Sequence, residues 1–145
     1  MAHIPKTLRR RVMSTAKYRC GYCLTSQLLS GAQMHIEHII AQSQGGTSDE
    51  ANLWLSCAWC NSYKGAQVTG ADPATGAIIA LFNPRTQSWH DHFAWSDDGL
   101  YIVGTSATGR ATVEALRLNN EFIVPARRQW KLAGWHPPLD EETKH

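Results

Sequence analysis

No apolar run in these 145 residues approaches the ~20 positions that a bilayer-crossing helix needs, and no apolar segment stands behind the N-terminal charges as a secretory leader would require. Neither a membrane partner nor export is expected, and the reading places the chain in the cytoplasm. Acid is missing from the first 19 residues, where Lys6, Arg9, Arg10, Arg11, Lys17 and Arg19 together carry +6. Residues 20–70 and 71–145 each sum to −2, so the net charge of +2 hides a strongly basic start. Cysteine is also missing, except for four copies between positions 20 and 60. In a reducing compartment four such cysteines serve as metal thiolates more readily than as disulfides.

What is present supports one domain, or one domain with an appendage: at 43% hydrophobic content a chain of this length buries roughly 70% of the surface it exposes unfolded. The cysteines form two C-x-x-C pairs, Cys20/Cys23 and Cys57/Cys60, with 33 residues between the pairs. Four thiolates around one zinc sit about 2.3 Å from the ion in a tetrahedron, so the two pairs are expected to meet in space and close the intervening segment. The turn CGYC is expected to use Gly21 to relieve its backbone.

Pro5 to Arg19 reads as an amphipathic helix, with Pro5 opening it and Leu8, Val12 and Ala16 repeating every four residues. Its basic faces are either solvated surface or phosphate contacts. Gln33 to Ile40 reads as a strand with Met34, Ile36, His38 and Ile40 on one side and His35, Glu37 and Ile39 on the other. Adjacent strand residues face opposite ways, so Glu37 and His38 can flank one group without competing for a single spot. A polar loop follows with Gly45-Gly46 at its turn, then a short strand from Asn52 to Ser56. From Cys57 the chain reads as a short helix capped by Gly65, on which Asn61 and Lys64 share a face.

The order H-I-E-H-I-I, G-G-T, N-L and C-x-x-C-N-x-x-K-G, preceded by C-x-x-C, resembles the McrA-like HNH endonucleases, whose active unit is a ββα-metal finger. The resemblance covers Cys20 to Gly65, about a third of the chain. It implies an α+β fold: a zinc-stapled finger with an N-terminal basic helix in residues 1–70, and a C-terminal α+β extension in 71–145 that packs on the finger. It further implies that His38 is the general base and that Asn52 orients it. Glu37, where the family more often has Asp, and Asn61 would hold a catalytic divalent ion, Mg2+ or another such as Mn2+ or Ni2+. Cys20, Cys23, Cys57 and Cys60 would hold a separate structural Zn2+. Ala41 stands where the family frequently has proline. His35 has no place in the pattern and is read as a structural or supporting residue. Lys64, Arg9, Arg10, Arg11 and Lys17 are candidate phosphate contacts.

The implied partner is DNA and the implied reaction is phosphodiester hydrolysis, leaving 5′-phosphate and 3′-hydroxyl ends. Imidazole suits proton removal from water near neutral pH. A hard cation with two protein ligands keeps most of its shell for water and substrate, as Mg2+ does in phosphoryl-transfer sites. The alternative is a zinc-containing nucleic-acid-binding module without catalysis, and a third reading is an interaction domain held by zinc. Monomer and homodimer both remain open.

Beyond Gly65 the expectation is strands at Ala77–Phe82, at His92–Trp95 and at Leu100–Val103 after an Asp97-Asp98-Gly99 turn. Helices are expected at Thr108–Leu118 and from Glu121 or Pro125 to Leu132, with a loose Pro137-Pro138 and acidic tail. His90, Asp91 and His92 are not read as a metal set, because strand alternation would split them. The six tryptophans are assigned to cores, and Arg85, Arg110, Arg117, Arg127 and Arg128 to surface charge.

Overall fold

The structure, a computed structural model, describes residues 3–139; the acidic tail expected at Asp140, Glu141 and Glu142 lies outside them. Two compact units emerge. The first runs to Val68 and takes in Asn83–Gln87, and the second comprises Thr69–Phe82 and the chain from Ser88 onward. Composition put a boundary at 70/71; the first unit also takes back residues 83–87, a return that composition does not signal.

The first unit opens with α1 (Lys6–Thr15), which buries Val12 and, just past its end, Ala16. Pro5 precedes the first helical residue, so its missing N–H costs no helical hydrogen bond. The expected extension to Arg19 fails because Lys17 and Tyr18 turn left-handed, at φ 54° and 57°, a conformation no helix continues through. The cysteine turn leads into α2 (Gln27–Ser30), whose Ser26 hydroxyl accepts from Leu28 N. Then β1 (His35–His38) pairs antiparallel with β2 (Leu53–Ser56), placing His38 opposite Leu53 and Glu37 opposite Trp54. Between them lie turns at Gln42–Gln44 and Glu50–Asn52. α3 (Ala58–Lys64) follows β2 directly and ends on Gly65, whose N–H returns to Asn61 O.

Both strands are shorter than their patterns promised. The Asn52 amide takes both backbone groups of Ile40, at 2.9 Å each, and so replaces the ladder where the apolar run would have continued it. Gly46 is pressed so closely on Ile40 O that a Cβ there would lie 1.7 Å from it, which only glycine permits.

The second unit contains two hairpins and two helices. β3 (Thr69–Ala71) pairs with β4 (Ile78–Ala80), and β5 (Phe93–Trp95) with β6 (Ile102–Gly104), all antiparallel. α4 (Ala107–Ala115), capped by Ser106 accepting from Gly109 N, packs against β3, β4 and β6. α5 (Ile123–Leu132) carries Pro125 in its first turn, where a missing N–H is tolerated. The core joins Phe82, Trp89, Phe93, Ile102, Leu116 and Leu118, with Phe82 edge-on to Phe93 at 5.1 Å.

Trp54 and Trp89 are buried, but Trp59 and Trp135 are 44% and 59% exposed. Arg127 is fully buried, donating to Leu100 O, Asn119 Oδ1 and Leu118 O; these three acceptors solvate a cation that the sequence placed on the surface. Arg110 forms a two-pronged pair with buried Asp72, at 2.9 Å for each prong. Residues Trp89–Asp91 form a 3-10 turn rather than a strand. Strand alternation therefore does not separate these side chains, although the four cysteines remain the only metal-competent His/Cys/Asp/Glu group among the described residues.

Candidate functional site

The four cysteine sulfurs converge, every pair within 4.8 Å, and Cys23 Sγ lies 3.7 Å from Cys57 Sγ. A tetrahedral site with Zn–S of about 2.3 Å has an edge of about 3.8 Å, so the spacing fits such an ion. The chemistry of the donors fits as well. Burial pushes the Cys20 thiol well above its ordinary value, while hydrogen bonds, first from Cys20 and then from Cys57, hold Cys23 well below. Four cysteine sulfurs at this spacing are the donor set of a closed structural zinc site, whose binding deprotonates the thiols. Local geometry places each donor. Cys57 precedes the first turn of α3 and accepts from Cys60 N, while Cys23 meets Thr25 Oγ1 at 3.2 Å.

Gly21 serves this turn differently from expectation. The left-handed residue is Leu24, at φ 61°; Gly21 is required because a Cβ on it would fall 2.4 Å from the Trp54 ring and 2.7 Å from Pro84.

An open cleft of about 800 Å³ lies along one face of this unit, lined by His35, His38, Gln42 and Asn61, with Arg9 at its wall. The structure thus brings His38, Asn61, His35 and Arg9 together. His38 Nε2 lies 2.9 Å from Ser48 Oγ, and its Nδ1 has no hydrogen-bond partner among the described residues. Asn52 makes no hydrogen bond to His38 among the described residues. Its amide instead donates to Thr47 O at 2.8 Å and clasps Ile40. Asn52 therefore sets the loop that carries Ser48, and Ser48 meets the imidazole. Ser48 was missed in the sequence because a serine in a polar glycine loop has no distinguishing signal.

Glu37 departs most from expectation. It is 5% exposed, accepts from Tyr22 Oη at 3.0 Å, and pairs with Lys64 Nζ at 2.9 Å. Burial pushes its carboxyl up, against the pull of Lys64 and then Tyr22. Its Oε2 is buried without a hydrogen-bond partner among the described residues. Lys64, 2% exposed, also donates to Ile39 O. Lys64 is thus corrected from a phosphate contact to an internal counter-ion, because both its charge and its donors are spent inside the fold. Tyr22, missed for the same reason as Ser48, is the third member of this buried group. Arg11 pairs with Glu50 at 3.0 Å on the surface, while Arg10 and Lys17 are exposed and do not line the cleft.

A two-stranded hairpin followed by a helix, with four cysteines converging beside it, defines a ββα unit with a cysteine cluster consistent with a structural zinc. Residues 20–67 match the HNH endonuclease family, and this segment is an HNH endonuclease domain within the chain. The family typically comprises nucleases, which implies a nucleic acid substrate. No curated relative and no solved structure matches the chain.

Proposed function

We propose that this protein is a metal-dependent endonuclease that hydrolyses DNA phosphodiester bonds and leaves 5′-phosphate and 3′-hydroxyl ends. The observation that carries the reading is His38: it opens from β1 onto the cleft that Asn61 and Arg9 also line, and Ser48 fixes its ring. In this reading His38 Nδ1 takes the proton of a water whose oxygen attacks phosphorus, and the P–O3′ bond breaks as the new P–O bond forms, the departing O3′ taking a proton from solvent to become the 3′-hydroxyl. Arg9 neutralises a phosphate at the cleft wall. Of the two ligands expected for the divalent ion, Asn61 lines the cleft and would hold it there, whereas Glu37 does not line the cleft and its carboxylate is already paired with Lys64. When bound, such an ion supplies Lewis-acid stabilisation of charge on the phosphoryl and leaving oxygens. The four cysteines hold a zinc with no part in the chemistry, in a reducing cytoplasmic setting.

One observation favours a second reading, a zinc-containing nucleic-acid-binding module without catalysis. The Lys64 ammonium already sits on the Glu37 carboxylate, which opposes a cation there. Incubation of purified protein with supercoiled plasmid in Mg2+, Mn2+, Ni2+ or EDTA decides between the two. Ion-dependent nicking that EDTA abolishes supports the endonuclease. Retardation of DNA without any cleavage supports the binding module.

A further inference from the structure

We infer that Arg85, which lies outside the segment matching the HNH family, is a positioning residue for His38; the inference rests on the endonuclease reading above. In an antiparallel ladder successive carbonyls of one strand point alternately to the partner and away from it. Asn52 O faces β1, accepting from Ile39 N at 2.8 Å, so Leu53 O points to the open edge of β2. There the Arg85 guanidinium donates to it twice, from Nε at 3.2 Å and from Nη2 at 3.1 Å. Leu55 O, two residues further along the same edge, accepts from Gly21 N at 2.9 Å. The hairpin's open edge is therefore closed at two points, one on the cysteine turn and the other on Arg85.

The second point lies level with the chemistry, since Leu53 is the register partner of His38. A lone two-stranded hairpin is marginally stable, so the angle at which His38 enters the cleft depends on what holds β2. Arg85 also lies over the Trp54 ring, 5.0 Å from its centre, and Trp54 is wedged against Gly21. Only a planar fork can stack on the indole while placing two donors on one carbonyl. A lysine at this position keeps the charge and loses that geometry.

The test compares Arg85→Ala and Arg85→Lys with wild type in four measurements: single-turnover cleavage of a labelled duplex, DNA affinity over a salt series, zinc content, and amide exchange at Ile39. Misplacing a catalytic group slows the chemical step by on the order of 10- to 100-fold. That loss is expected for Arg85→Ala with unchanged DNA affinity and zinc content, with partial restoration by added guanidinium ion and a smaller loss for Arg85→Lys. Cleavage at the wild-type rate overturns the inference. So does a fall in affinity that matches the fall in rate with a shallower salt slope, since this would mark Arg85 as a phosphate contact. If Arg85→Ala loses zinc or fails to fold, Arg85→Lys carries the same comparison. If wild-type protein cleaves nothing with any ion, the endonuclease reading fails separately and amide exchange decides: faster exchange at Ile39 in the variants supports positioning, and unchanged exchange overturns it.

Discussion

His38 and Glu37 are neighbours in sequence with opposite fates, because one points into the cleft and the other into the packed interior between β1 and α3. For His38, replacement by Ala is expected to lower cleavage by about 10²- to 10⁴-fold, the usual worth of a general base. Zinc content, melting temperature and DNA affinity should be unchanged; wild-type cleavage by His38→Ala would remove the imidazole from the mechanism. For Glu37 the decisive partner is Lys64. Removing one member of a buried ion pair leaves an uncompensated charge, at a cost of about 3–5 kcal/mol. Lys64→Met should therefore destabilise the first unit by that order, and adding Glu37→Gln should recover most of the loss. Denaturant midpoints of the single and double variants measure both.

At the scale of elements, the hairpin and α3 are too short to build a core of their own, and the cysteine cluster joins their ends. Cys57→Ser removes one sulfur donor from the cluster, while the serine hydroxyl can still accept from Cys60 N at the start of α3. The expected outcome is loss of zinc and of the first unit's cooperative unfolding; soluble, zinc-free, active variant protein would contradict it. In the second unit, Arg110 first, and then Ala74 N, hold the Asp72 carboxyl far below the usual carboxylate range. A depressed folded value means that the folded state takes up its proton later than the unfolded chain does. This contribution is therefore complete above the ordinary value of about 3.9 and is lost as pH falls through the interval below it. Urea midpoints measured from about pH 5 down to about pH 3 should fall more steeply for wild type than for Asp72→Asn.

At the scale of the whole molecule, the first unit is discontinuous in sequence, completed by Pro84 and Arg85 from a segment 15 or more residues beyond its main run. A chain cut after Val68 keeps every residue of the HNH match yet lacks the second closure of the β2 edge. It is expected to melt at a lower temperature than the first unit in the full chain and to bind zinc less tightly, as calorimetry and competition with a chelator would show. The basic start gives a second expectation at this scale. DNA affinity should fall linearly on logarithmic axes as salt rises, and Arg9→Ala should reduce that slope more than Arg11→Ala, because Arg11 is already paired with Glu50.

Spacing alone determined the cysteine cluster, the order hairpin then helix, the basic first helix and the place of His38. Each of these is a local pattern: thiolates at turn spacing, apolar alternation, a four-residue repeat, an unbroken motif. Only the tertiary structure decided that Lys64 neutralises Glu37, that Asn52 reaches His38 through Thr47 and Ser48, that Arg127 is buried, and that Arg85 closes the edge of β2. These depend on which donors and acceptors are left unpaired once strands and helices pack. Burial makes every unpaired polar group costly, and the side chains that meet this demand come from wherever the fold brings them, at separations that no sequence periodicity records.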